Sequence, residues 1–172
     1  LMALAEAETG VKRLQLELFS LPDLLESVVE LYEYVAEDKN ITIKTAFPDE
    51  LGIEADRNLM QRVFGNLIDN AIKYSGNESV VTVTSVVKGD EAEIVIEDQG
   101  DGIPLDQLPN IWDRLYRVDS SRTTRGLGLG LSFVRAIVEA HKGAVDVESE
   151  LSKGSRFVVR LPLKAACGES GG

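Results

Sequence analysis

Apolar positions recur along this chain with two periods, one helical and one alternating. Leu21, Leu24, Leu25, Val28, Leu31 and Val35 fall at the spacing of a single buried helix face. Ser20 precedes the run, with Pro22 in the first turn and Asp23 three residues on, which marks a helix start. Lys39-Asn40 ends it. A second helix is expected from Asp56 or Asn58 to about Ser75, with Met60, Val63, Phe64, Leu67, Ile68 and Ala71 inward. Ser75-Gly76-Asn77 breaks it. A third follows a glycine-rich start and buries Leu127, Leu131, Val134, Val138 and His141. Alternating stretches predict short strands at 13–19, 41–47 and 53–56, the second closed by Pro48. Two longer strands, 79–88 and 91–98, are joined by Gly89-Asp90, and a last pair, 144–149 and 155–161, turns at Lys153-Gly154. Residues 99–126 show little periodicity beyond a helical turn expected at 107–116. Structureless loops of such length are usually functional or disordered.

Helices separated by hairpins indicate an α+β fold. The expected form is a two-layer sandwich, a mostly antiparallel mixed sheet of about five strands covered on one face by three helices. The hairpins exclude a doubly wound parallel sheet. At 172 residues, 44% of them apolar, the chain is one ordinary domain with a real core. Residues 1–9 are strongly helix-forming and stop at Gly10, but are too short to be stable alone. They read as the end of a longer helix, and the absence of an initial Met suggests a fragment. The expected division is 1–12 as helix end and linker, 13–163 as the domain, and 164–172 as a disordered tail.

Charge narrows the function. A formal net charge of −11 argues against non-specific nucleic-acid binding, which depends on clustered Lys and Arg. A polyphosphate ligand would need local positive charge and a divalent cation. The lone Cys167 leaves no internal disulfide, and no apolar run approaches the ~20 residues that span a bilayer.

Three stretches could carry chemistry. Asn66, Asn70 and Lys73 are spaced i, i+4, i+7 on the second helix, one stripe beside its apolar face. Asparagine is a poor residue for a helix interior. The stripe is either a solvated polar face or two amide oxygens for a hard cation such as Mg²⁺, beside an ammonium for the phosphates it bridges. In the strand before Gln99, Ile94, Ile96 and Asp98 point to one face, and a carboxylate there is costly unless it meets a donor. Asp-Gln-Gly-Asp-Gly-Ile-Pro follows, which is either an Asx-type turn or a place for a flat ligand whose amine satisfies Asp98. Gly126-Leu-Gly-Leu-Gly130-Leu opens the third helix, either as a flexible cap or as an anion site of free N–H groups. Arg114, Arg117, Arg122 and Arg125 lie between them, as a solvated loop or as a lid over phosphates.

Taken in order, Asn66-Leu-Ile-Asp-Asn70-Ala-Ile-Lys73-Tyr74, Asp98-Gln-Gly100-Asp-Gly102-Ile103-Pro, Ile111-Trp-Asp-Arg-Leu-Tyr-Arg117 and Gly126-Leu127-Gly128-Leu129-Gly130-Leu131 resemble the boxes of sensor histidine kinases. These are the asparagine, first glycine, aromatic and second glycine boxes of the Bergerat-type ATP-binding fold. The resemblance covers about 20–163, and 1–10 resembles the end of the second helix of the preceding dimerisation domain. It departs from the usual pattern at Trp112 and Leu115, where phenylalanines are common. The resemblance implies ATP and Mg²⁺ as cofactors, with Asn70 binding the metal and Asn66 supporting it. It places Lys73, Tyr74 and Arg117 near phosphates or base, and Asp98 on the adenine amine with Gly100, Gly102 and Ile103 at its edge. It gives Gly126, Leu127, Gly128, Leu129, Gly130 and Leu131 to the lid and the start of the next helix.

The implied activity is transfer of the γ-phosphoryl group to a histidine of the dimerisation and histidine phosphotransfer domain, with a response regulator downstream. The implied location is the cytoplasmic side of a membrane-anchored bacterial sensor. No catalytic residue of the transfer is expected within this chain. His141 reads as a packed helix-terminal side chain, not the acceptor, and the fragment is expected to be monomeric. Competing readings are a related enzyme of the same fold (a serine-directed kinase, chaperone or topoisomerase subunit) and a binding module that transfers nothing. A P-loop enzyme is excluded, since no Gly-x-x-x-x-Gly-Lys-Ser/Thr occurs.

Overall fold

The computed structural model describes residues 13–113 and 130–163. Helix α1 (Leu21–Asp38) starts where Ser20 Oγ accepts the Asp23 N–H at 3.3 Å. It ends in a Schellman motif: Asn40 takes a left-handed φ of 56°, its N–H reaches Glu37 O, and the Ile41 N–H reaches Ala36 O. The buried side holds Leu21, Leu24, Leu25, Val28, Val29 and Ala36. Two expected members of that face are out: Leu31 is 62% exposed and Val35 42%. In the second half of α1 the covered stripe moves to Val29, Tyr32 and Ala36. Gly65 of the next helix faces the Tyr32 ring, leaving room for it at 3.3–3.6 Å from where a Cβ would stand.

β1 (Leu16–Ser20) pairs antiparallel with β3 (Gly52–Asp56), Leu16 opposite Asp56, as a separate two-stranded sheet. The main sheet runs β2 (Thr42–Ala46), β4 (Val80–Lys88), β5 (Glu91–Asp98), β7 (Gly154–Pro162), β6 (Ala144–Glu150). Only β2–β4 is parallel. The fold is therefore α+β with a five-stranded mixed sheet and three helices, as the patterning predicts. Val81, Val83, Ile94, Ile96, Phe157 and Val159 join the helices in one core. The opposite face carries two charged rows across the strands. Arg156 lies between Glu97 and Glu148 at 3.6 and 3.8 Å, and Arg160 between Glu93 and Asp146 at 3.5 and 2.7 Å. Val158 sits between the two arginines in sequence and is only 2% exposed, although no helix among the described residues covers this face. Arginine stems flanking an apolar residue can shield it in this way.

α2 (Arg57–Tyr74) begins at Asp56, whose Oδ1 accepts the Leu59 N–H at 3.1 Å and whose Oδ2 accepts the Gln15 N–H at 2.8 Å. The Asp56 N–H in turn donates to His141 Nε2 at 3.0 Å, while His141 Nδ1 lies 2.8 Å from Ile137 O. A carbonyl can only accept and an amide N–H can only donate, so Nδ1 carries the proton. The single histidine thus ties the end of α3 (Gly130–Ala140) to the start of α2, and it is packed, as its position at the end of the apolar stripe predicts. Among the described residues no helix is long and apolar enough to cross a membrane.

Candidate functional site

The described members of the expected site lie on α2, in the turn after β5 and at the start of α3. Asn66 and Asn70 are half-buried on α2, and Lys73 forms an ion pair with Asp69 at 2.8 Å one turn earlier. Gly130, the first residue of α3, faces the Asn66 carboxamide, with the position of a Cβ 3.8–4.0 Å from its side-chain atoms. Leu131 packs partly buried on the core. Arg62 of α2 stacks 4.2 Å from the Phe133 ring centroid, which holds the two helices side by side. Trp112, in the described part of the aromatic box, meets Phe157 edge to face at 6.0 Å and lies under Arg135 at 5.9 Å. Arg117, Leu115, Gly126, Leu127, Gly128 and Leu129 lie outside the described residues, as do 1–12 and 164–172.

Asp98 ends β5 on the face shared with Ile94 and Ile96, and is only 6% exposed. Its Oδ1 accepts the N–H groups of Gly100 at 2.9 Å and Ser155 at 3.3 Å. The first of these is the Asx turn that the Asp-Gln-Gly sequence suggests. Oδ2 accepts nothing from the described residues, so the turn leaves one carboxylate oxygen for a ligand. Burial pushes the carboxyl up to about 6, the two backbone N–H groups pull it back in part, and Glu97 and Asp101 raise it further. A desolvated carboxylate with one free oxygen is a strong acceptor for an exocyclic amine.

The glycines after Asp98 have a structural reason that patterning did not reveal. A Cβ on Gly100 would stand 2.2 Å from Tyr74 O, and one on Gly102, at φ 74°, 2.2 Å from Glu150 O. The space they leave is filled by the chain's own backbone, which seats the loop between the end of α2 and the β6–β7 turn. Gly100 bridges Ser75, the Asp101 N–H reaches Tyr74 O at 3.3 Å, and the Ser152 N–H reaches Asp101 O at 2.8 Å. The Ile103 N–H donates to Ser149 Oγ at 2.7 Å. Ser149 and Ser155 are supporting residues without a signal in the sequence, because serine in a strand announces no partner. The α2 stripe, the Asp98 carboxylate and the first residue of α3 thus converge, and Tyr74 is partly exposed at the seam. A depression lined by Glu97, Asp98, Glu148, Ser149, Glu150, Lys153, Gly154, Ser155 and Arg156 lies beside the end of β5, and among its charges Lys153 pairs with Glu150 and Arg156 with Glu97 and Glu148.

Residues 55–165, more than half of the chain, match the family described as histidine kinase-, DNA gyrase B-, and HSP90-like ATPase. The chain belongs to this ATPase family. Within the family its likeness is to sensor histidine kinases. It is 32% identical over 164 residues to the sensor histidine kinase CusS of Escherichia coli, covering 94% of this chain and 34% of CusS. The catalytic domain of histidine kinase ThkA superposes with a TM-score of 0.78 at 27% identity, over 87% of this chain and 96% of that one. Full-length ShkA in complex with AMPPNP gives a TM-score of 0.82 at 28% identity, over 96% of this chain and 35% of that one. The chain spans about a third of the length of the curated relatives it matches. It is an ATP-binding catalytic domain of the sensor histidine kinase type.

Proposed function

We propose that this ATPase domain holds Mg-ATP across α2, the loop after β5 and the start of α3, and positions the γ-phosphoryl group for transfer to a histidine. The observation that carries the reading is Asp98, a buried carboxylate with one oxygen free at the edge where the asparagine stripe ends. Asp98 Oδ2 accepts the adenine amine, with Gly100, Gly102, Ile103 and Tyr74 around the base. Asn70, supported by Asn66, ligates Mg²⁺. Among the described residues no three His, Cys, Asp or Glu side chains converge on a metal site. That fits a cation held mainly by phosphate oxygens and water, to which the protein adds one or two amide oxygens. Lys73 and Arg117 offset phosphate charge, and residues 126–131, from Gly126, Leu127, Gly128 and Leu129 to Gly130 and Leu131, fold over the phosphates. The domain's contribution is positioning and charge neutralisation.

In the transfer, an imidazole nitrogen of the acceptor bonds to the γ-phosphorus as the bond to the β,γ-bridging oxygen breaks, and ADP leaves. The acceptor belongs to a dimerisation and phosphotransfer domain, from which residues 1–12 lead into the catalytic domain at 13–163. The downstream partner is a response regulator, and the whole protein is a membrane-anchored bacterial sensor with this domain in the cytoplasm.

Calorimetric titration of a non-hydrolysable ATP analogue, with and without Mg²⁺, tests the site. Asn70→Ala is expected to keep analogue binding but lose its Mg²⁺ dependence. No binding by the wild-type chain would overturn the proposal. Binding without phosphoryl transfer to a supplied histidine-bearing domain would overturn its second half.

A further inference from the structure

The carbonyl groups at the end of a helix have no partners within it, yet those at the end of α2 are all met. Ser75 Oγ donates to Ala71 O at 2.6 Å, and the Asp101 N–H to Tyr74 O at 3.3 Å. The other three are taken by one side chain, at the C-terminal cap of α1. Lys39 Nζ donates to Ile72 O, Lys73 O and Ser75 O at 2.7, 3.2 and 3.0 Å. An ammonium has three protons, so three carbonyls saturate it. Its charge also stands at the negative end of the helix dipole. The stem is aimed by rigid backbone, because Lys39 is the last residue before the left-handed Asn40 in the Schellman motif of α1. The Glu78 N–H on Lys39 O, at 3.4 Å, links the same residue to the chain just before β4.

We infer that Lys39 is a positioning residue for the nucleotide site, its ammonium acting as a built-in cation within a ring of three carbonyl oxygens at the end of α2. This rests on the site proposed above, since the turn it holds carries Lys73 and Tyr74 and seats Gly100 and Asp101 beside Asp98. Without the ammonium the three carbonyls repel one another and the turn loses its anchor to α1. The loop after β5 then loses the surface against which Gly100 is fitted.

The test uses the full chain with Lys39→Met, Lys39→Ala and, as a control, Lys44→Met on the exposed part of β2. Binding of a non-hydrolysable ATP analogue with Mg²⁺ and amide hydrogen exchange at Gly100 and Asp101 are measured together. Both Lys39 variants are expected to bind about tenfold more weakly and to exchange faster at these two amides, while Lys44→Met matches wild type. Ammonium chloride, compared with sodium chloride at equal ionic strength, is expected to restore Lys39→Ala, where the place of the ammonium is open. Lys39→Met, whose methyl group fills that place, should not respond. A general structural role would not distinguish the two cations. Unchanged affinity and exchange in Lys39→Met would overturn the inference, as would equal responses of the two variants to ammonium. Should either variant be too destabilised for binding measurements, its thermal midpoint in the two salts reads the same difference, and equal midpoints for Lys39→Ala would be a refutation. If the wild-type chain binds no analogue, the proposed function falls and exchange at Gly100 and Asp101 decides on Lys39 alone.

Discussion

Replacing Asp98 with asparagine keeps the shape of the side chain and removes its charge. The carbonyl oxygen of the amide can still accept the Gly100 and Ser155 N–H groups that Oδ1 accepts now. What changes is the cost of holding a desolvated carboxylate. Burial raises this carboxyl from 3.8 to about 6. At roughly 1.36 kcal/mol per unit, the ionised form costs the folded state about 3 kcal/mol relative to the unfolded chain. Because the folded value is the higher one, the folded state binds more protons between the two values. The contribution of Asp98 to stability is therefore complete below about pH 4 and is lost as pH rises through about 6. The substituted amide cannot titrate, so Asp98→Asn should match wild type near pH 4 and exceed it by about 1–3 kcal/mol near pH 8, allowing for the buried amide NH₂. Urea denaturation, followed by the fluorescence of the single Trp112, gives both curves, and their difference isolates this group. On the proposed adenine contact, the same variant should lose analogue binding, since an amide NH₂ would face the adenine amine. A stability difference that stays flat from about pH 4 to about pH 8, or a variant less stable than wild type near pH 8, would refute the reasoning.

Gly100→Ala places a Cβ 2.2 Å from Tyr74 O, so thermal unfolding should show a loss of about 2–4 kcal/mol, with the Ser75–Gly100 bridge broken. Val28→Ala, at a fully buried position of α1, should cost about 2 kcal/mol, whereas Leu31→Ala should fall within about 0.5 kcal/mol of wild type in the same denaturation assay. Asp56→Ala removes both the cap of α2 and the acceptor for Gln15, and is expected to cost about 1–2 kcal/mol by chemical denaturation.

Local features were legible in the sequence because their causes are local. Ser20 and Asp56 cap helices where serine and aspartate before an apolar run say they should, and the alternation of Ile94, Ile96 and Asp98 put the carboxylate on the inner face. The strand order was not legible, since β7 inserts between β5 and β6 through pairings more than fifty residues apart. Nor was the separate β1–β3 pair, because neither strand carries any mark of its partner. Leu31 and Val35 were placed inside because α1 is apolar over more of its circumference than its neighbours cover. In the site, residue types were readable but reasons were not. Gly100 and Gly102 look like glycines for a ligand, and the structure adds that Tyr74 and Glu150 exclude any side chain there. Lys39 showed nothing, since one lysine at a helix end is ordinary until its three acceptors are seen.

The β1–β3 ribbon shares no strand pairing with the main sheet, and its Gln15–Asp56 contact lies on the same residue that caps α2 and bonds His141. A load applied at Arg13 would therefore not be spread over the five strands. It would arrive as shear on the ribbon and as torque at Asp56, the common footing of α2 and of the far end of α3. Displacing that footing would tilt both helices, and with them Asn70 on one and Gly130 on the other, two residues of the proposed nucleotide site. Movement at the ribbon would then read out as a change in the gap between two helices.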